Sequence, residues 1–262
     1  MIDNRETLSA LVAIPSETGN EQAIASYIAG RCSAPGNSVD EMADSVVVHI
    51  PGQDNTKAFV LNGHTDTVPP TEQWSCDPYT LRVDPNDYDR LIGLGTTDMM
   101  SGLAIMLDIC DDAQEQPPPC DLWMVFSSRE ETDGFGSKEV APWLSEKIRG
   151  RYRSIGGLIL EPTNAEFVGV GHRGDTVWDM AAHGPGGHAS KHFDGETPPI
   201  EKLSRVLVDL PDIRRQWAAK YTNTLLGRPS INPTVINAGN AENVVPTQAN
   251  ALLNLRVTPE LV

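Results

Sequence analysis

The sequence predicts an α/β fold: a mostly parallel sheet flanked by helices, followed by a smaller α+β domain. Two observations carry this. Through residue 173, short apolar runs of the kind that fill strands buried on both faces alternate with segments whose apolar residues recur at helical spacing. The texture then changes to a β-α-β-β order with a Gly-rich turn, so the domains read as 1–173 and 174–262.

Taken in order, residues 2–31 read as helical, broken by a turn at 15–20 (Pro-Ser-Glu-Thr-Gly-Asn). Residues 45–50 form a strand candidate that stops at Pro51-Gly52, and 57–62 are a short buried run. Residues 101–112 read as a helix ahead of Pro117-Pro118-Pro119, 121–127 as a second buried strand, 138–147 as a helix and 157–160 as a third buried strand. In the second domain, 175–182 read as a strand and 183–188 as a Gly-rich turn. Ile200, Leu203, Val206, Leu207, Leu210, Ile213 and Trp217 then share one helix face. Residues 234–238 and 251–257 are two further strands. Thr258-Pro259-Glu260 has the form of a helix start, with Thr as N-cap and Pro at the first helical position. A helix is thus announced and not built, so the chain reads as a fragment.

Composition narrows the function. The 262 residues, 39% of them hydrophobic, suffice for real cores. Thirty-six acidic against twenty basic residues leave a formal charge of −16, a surface that repels nucleic acid and anionic membranes. The beginning, Met1-Ile2-Asp3-Asn4-Arg5-Glu6, lacks a basic segment followed by an apolar core, so the expected location is the cytoplasm. Cys32, Cys76, Cys110 and Cys120 include no Cys-x-x-Cys pair and read as reduced thiols.

The chemistry is positional. The three buried strands deliver Gly63-His64-Thr65-Asp66, Arg129-Glu130-Glu131 and Glu161, and Gly95-Thr96-Thr97-Asp98 leads into the helix at 101. Ligands of open α/β sheets bind outside the carboxyl ends of the strands. One histidine and five carboxylates therefore converge on one edge, where unpaired carboxylates repel each other unless a divalent cation is present. Imidazole nitrogen with carboxylate oxygen suits zinc, cobalt or manganese. Asp66, two residues beyond His64, lies on the same side of an extended segment and can fix the imidazole tautomer. Glu130 and Glu131 can divide metal binding from proton transfer. His49, His172, His183 and His192 read as structural or peripheral, and Gly93-x-Gly95-x-x-Asp98 is no dinucleotide fingerprint, because Asp stands where its last Gly belongs.

At these residues the sequence resembles one dinuclear zinc metallopeptidase family, that of acetylornithine deacetylase, succinyl-diaminopimelate desuccinylase, aminoacylase and carboxypeptidase G. The resemblance runs in order through Gly63 to Pro69, Trp74 to Tyr79, Gly93 to Met99, Glu130-Glu131, Glu161-Pro162-Thr163, Gly187-His188-Ala189-Ser190, and Asn243-Val244-Val245-Pro246 with Arg256. It implies that His64, Asp98 and Glu161 hold one zinc and that Asp98 and Glu131 serve a second. It implies that Asp66 orients His64, that Glu130 is the general base, and that His188 stabilises the oxyanion from a lid domain. Asn243 and Arg256 would bind the substrate. The implied activity is hydrolysis of the amide bond of N-acyl amino acids, in a homodimer formed through the lid; an exopeptidase or carboxypeptidase acting on short peptides is the alternative. Met100-Ser101 and Leu94 depart from the family's usual residues. So does the end: the family's second zinc takes a final histidine from a C-terminal segment and no histidine follows His192, and the resemblance implies that both domains are incomplete at the C-terminus, the second lacking its last helix and strand. Ligand arithmetic thus implies one tightly held zinc per chain, and leaves open a metal-binding but inactive fragment.

Overall fold

The structure, a computed structural model, describes residues 4–163 and 168–261. The chain divides into two compact units, Met1–Glu166 and Phe167–Val262, whereas the sequence texture places the change after Arg173. The first two residues of the helical stretch 2–31 and the terminal Val262 lie outside the described residues.

Unit 1 runs α1 (Arg5–Val12), α2 (Gln22–Cys32), β1 (Ser38–Met42), β2 (Ser45–Ile50), β3 (Asp54–His64), β4 (Arg82–Asp84), β5 (Asp87–Ile92), α3 (Ser101–Glu115), β6 (Cys120–Ser127), α4 (Phe135–Ile148) and β7 (Ser154–Ile159). Its main sheet has the order β1-β2-β6-β3-β7. β3 pairs in parallel with both β6 and β7, as expected, but β7 lies at the sheet edge and is exposed along its length rather than buried. β2 joins β6 antiparallel and β1 joins β2 antiparallel, so the sheet as a whole is mixed.

The apolar runs of β2, β3 and β6 are continuous because helices cover both faces there. Val46 and Val48 of β2 and Met124 and Phe126 of β6 pack against Leu11, Ile24, Ile28, Leu103 and Leu107 of α1, α2 and α3. The alternate residues Val47, Trp123 and Val125 pack against Val140 and Leu144 of α4. On β7, a Cβ at Gly156 would lie 2.8 Å from the Phe59 ring, so only glycine lets that strand close on β3.

Opposite the carboxyl edge, Asp121 at the start of β6 is buried. It accepts hydrogen bonds from the Gly52 N–H (2.9 Å), the Tyr152 hydroxyl (2.7 Å), the Arg151 guanidinium (3.1 Å) and His49 Nε2 (3.0 Å). Burial pushes its pKa up, but these donors outweigh burial and hold it below the ordinary value. The stability it supplies is therefore present above about pH 4 and lost as pH falls through the depressed value. Asp121→Ala is expected to cost roughly 3 kcal/mol at pH 7, because four donors lose their acceptor. Urea unfolding at pH 7 measures this, and a loss below about 1 kcal/mol would contradict it.

Unit 2 comprises β8 (Gly174–His183), β9 (Gly187–His188), α5 (Pro199–Lys220), β10 (Ser230–Ala238), β11 (Val244–Val245) and β12 (Gln248–Val257). β10-β12-β8 form an antiparallel sheet, and β9 and β11 a two-stranded ribbon. Leu203 and Leu210 of α5 cover Ile231, Ala249, Ala251, Leu253 and Leu255. Thr258 does not cap a helix: its hydroxyl donates to the Tyr221 carbonyl at 2.7 Å, and only a turn follows. Among the described residues, no helix is long and apolar enough to cross a membrane.

Candidate metal centre

Parallel pairing levels the strand ends. β3 and β6 are in register at His64 and Ser127, β3 and β7 at Asn62 and Ile159. Whatever follows each strand therefore emerges on one edge. Asp98 arrives from a π-type turn, Thr96–Met100, that leads into α3, and the Asp98–Met99 peptide is cis.

His64 is the buried member of the cluster. Its Nδ1 lies 2.8 Å from the Asp66 main-chain carbonyl, which can only accept, so Nδ1 carries a proton and Nε2 faces outward. Nε2 stands 2.9 Å from Asp98 Oδ1 and 3.6 Å from Glu161 Oε1. The three ligand atoms lie within 4.8 Å of one another. The nitrogen is buried while both carboxylates are about half exposed, so the cluster opens to solvent. One imidazole nitrogen and two carboxylate oxygens converging this closely fit a divalent cation such as zinc, cobalt or manganese.

Electrostatics point the same way. Burial pulls the His64 pKa down, but hydrogen bonds to Asp66 and Asp98 and the charge of Glu161 outweigh it and hold the pKa at about 9. A second proton on the ring thus fills the gap between Nε2 and Asp98. Burial raises the pKa of Glu161; His64 opposes the rise, and repulsion from Asp98, Glu130 and Glu131 reinforces it. Glu131 is raised by burial and by Asp98, against the pull of His64. A cation must displace the His64 proton, so its apparent affinity is expected to weaken about tenfold per pH unit below 9, with proton release on binding. Calorimetry in buffers of different ionisation enthalpy reads this, and binding at pH 7 without proton release would refute it.

Asp66 does more than the sequence suggests and does it differently. Its main-chain carbonyl accepts the imidazole Nδ1–H, and its carboxylate stands 3.5 Å from Nδ1. That carboxylate is occupied elsewhere, accepting the Glu130 N–H (2.9 Å), the Glu131 N–H (3.1 Å) and the Thr18 hydroxyl (2.7 Å). Burial raises its pKa, yet His64, Thr18 and the two N–H groups bring it below the ordinary range. The turn carrying Glu130 and Glu131 is thus braced from the segment that follows β3. Glu131 stands outside the three-ligand cluster. Thr18 and Glu21, which accepts the Arg129 N–H, went unsignalled, because nothing in an interhelical turn announces partners so distant in sequence.

The other residues singled out by sequence belong to unit 2. His188 pairs with Val244 across the β9–β11 ribbon, and the Asn243 carbonyl accepts the Ala189 N–H, so the structure brings these two together. His188 Nδ1 lies 2.8 Å from the Ser190 hydroxyl and 3.3 Å from the Ser190 N–H, so this nitrogen is engaged within its own loop. Arg256 lies at the far end of β12, where it pairs with Asp175 at 3.3 Å. From Gln248, beside the ribbon, to Arg256 the strand spans roughly 27 Å. His49 belongs to the Asp121 network.

Comparisons with known proteins identify the family and the fold. The profile described as Peptidase family M20/M25/M40 matches residues 60–258. A succinyl-diaminopimelate desuccinylase of Paracoccus denitrificans is 29% identical over 78% of this chain and 53% of its own length. An acetylornithine deacetylase of Buchnera aphidicola is 30% identical over 79% of this chain and 52% of its own. The chain thus spans about half the length of these curated relatives. A tripeptidase from Staphylococcus aureus shares the fold, with a TM-score of 0.76 at 22% identity over 99% of this chain and 68% of that one.

Proposed function

The chain belongs to peptidase family M20/M25/M40, and on that premise we propose that it hydrolyses the amide bond of N-acyl amino acids with a divalent metal ion, zinc before cobalt or manganese. The observation that carries this reading is the cluster of His64 Nε2, Asp98 and Glu161 beside the braced Glu130-Glu131 turn. When bound there, the cation supplies Lewis-acid polarisation of the scissile carbonyl. The chain's own groups supply the rest. His64, Asp98 and Glu161 hold the ion, and Asp98 with Glu131 begins a second site. Glu130 removes a proton from the attacking water and returns it to the leaving amine. His188 presents a ring N–H to the developing oxyanion, and Asn243 and Arg256 hold the substrate carboxylate.

The length of β12, roughly 27 Å from Gln248 beside the His188 ribbon to Arg256, supports a homodimer, since one small substrate cannot touch both ends of such a strand. His188 and Asn243 then serve the partner's site. Mixing Glu130→Gln chains with His188→Ala chains is expected to restore about a quarter of the wild-type rate, because half the dimers formed at random pair one intact base with one intact histidine. A mixture as inactive as its parents would place His188 in its own chain's site. The four free cysteines support a cytoplasmic location.

Rates on N-acetylornithine, succinyl-diaminopimelate and dipeptides, with zinc or cobalt present, test the reaction. Turnover confined to peptides would favour the exopeptidase alternative, which the tripeptidase fold relative supports. Among the described residues, Asp98 and Glu131 offer a second ion fewer donors than His64, Asp98 and Glu161 offer the first, so one tightly bound ion per chain is expected; metal binding without turnover of any amide would leave this polypeptide an inactive metal-binding unit.

A further inference from the structure

The turn that carries Glu130 and Glu131 begins with Arg129 at φ 58, a left-handed conformation that residues other than glycine rarely adopt. Something must hold it there. The Arg129 N–H donates to Glu21 Oε1 at 3.0 Å, and the next two N–H groups donate to Asp66. Three successive main-chain donors are therefore gripped by two buried carboxylates, one from the segment just after β3 and one from the start of α2.

Glu21 is an odd residue for its place. It stands at the N-cap of α2, where a short polar side chain would normally bond the helix's first free N–H groups. Its side chain makes no such bond. Its main-chain carbonyl accepts the Ala25 N–H and so starts the helix, while the carboxylate turns away toward Arg129. The residue is 1% exposed, and its second oxygen has no hydrogen-bond partner. A carboxylate buried and half satisfied destabilises a fold unless its position serves another need.

We propose that Glu21 is a positioning residue that fixes the left-handed Arg129 and so aims Glu130 and Glu131 at the His64 cluster. The inference deepens the reading of that edge as a hydrolytic site and rests on it only for the consequence in rate. Glu21 keeps the acceptor that the Arg129 N–H needs; Asp66 takes the two that follow. Loss of Glu21 frees Arg129 to relax to a right-handed or extended conformation, which swings the two glutamates away.

The test compares Glu21→Ala, Glu21→Asp and Glu21→Gln in the natural protein, by hydrogen exchange of the segment 128–134 and by steady-state kinetics. Alanine removes the acceptor, aspartate keeps the charge but shortens the reach, and glutamine keeps both reach and a carbonyl acceptor. Exchange in 128–134 is expected to rise tenfold or more in the alanine and aspartate variants, with 121–126 unchanged, and to stay within threefold of the parent in the glutamine variant. The rate kcat is expected to fall tenfold or more in the first two with KM within threefold, and to recover in the third. Unchanged exchange in 128–134 for Glu21→Asp overturns the proposal, and so does a glutamine variant as impaired as the aspartate one. If the alanine variant does not fold, the aspartate–glutamine comparison decides. If no variant and no parent protein hydrolyses an amide, the reading of the site fails, and the exchange pattern still decides the role of Glu21.

Discussion

His64→Ala is expected to weaken cation binding by at least about 10³-fold, a loss of roughly 4 kcal/mol at 1.4 kcal/mol per decade, and to abolish hydrolysis with it. The ring supplies the cluster's single nitrogen, already turned toward Asp98 and Glu161 by the bond from Nδ1 to the Asp66 carbonyl. Asp98 and Glu161 alone are two like charges reaching solvent, with no buried donor to fix the ion's place. Elemental analysis after gel filtration, with calorimetric titration of zinc, reads the change. A variant that retains one zinc per chain at parental affinity would remove His64 from the ligand set.

Glu130→Gln is expected to lower kcat by about 10²–10⁴-fold while bound metal and KM change little. The substitution isolates one function. The Glu130 main-chain N–H still donates to Asp66, so the turn keeps its brace. The three-ligand cluster does not include Glu130, so the first ion keeps its donors. What disappears is a carboxylate able to take and return a proton. Steady-state kinetics on an N-acetyl amino acid, with metal content measured on the same sample, give the answer. A kcat within fivefold of the parent would transfer the base to another residue, Glu131 being the nearest in sequence.

Much of this is legible in the sequence, and the remainder is hidden for physical reasons. The runs at 45–50, 57–62 and 121–127 announce strands because both sheet faces are covered, leaving no polar alternation to confuse them. The β1–β2 hairpin gives no such signal. Its outer strand, Ser-Val-Asp-Glu-Met, has no fully buried residue. Its two-residue turn is Ala43-Asp44, both at positive φ, without the glycine that usually marks that geometry. The β4–β5 hairpin is likewise short and polar. At the edge of the sheet, the strand-end positions of His64, Glu131 and Glu161 can be read from apolar runs that stop. The groups that orient them cannot. The Asp66 carbonyl is main chain and leaves no mark in residue identity, and Glu21 meets Arg129 across 108 positions. Arg256 reads as free to bind an anion, whereas cross-strand register hands it Asp175.

Asp66 holds His64 through its carbonyl and the Glu130-Glu131 turn through its carboxylate, and Thr18 ties the second of its oxygens. One residue therefore belongs to two substructures at once. Substitutions on the two sides should not behave as independent events: a change at Thr18 that lets the carboxylate rotate is felt at Glu131 and, through the same residue, at the imidazole. Double-mutant cycles pairing Thr18→Ala with His64 or Glu131 variants are expected to show coupling on the order of 0.5–3 kcal/mol. Sequence drift here is epistatic, and tolerated changes at positions 18, 64, 66 and 131 should arrive as sets rather than singly.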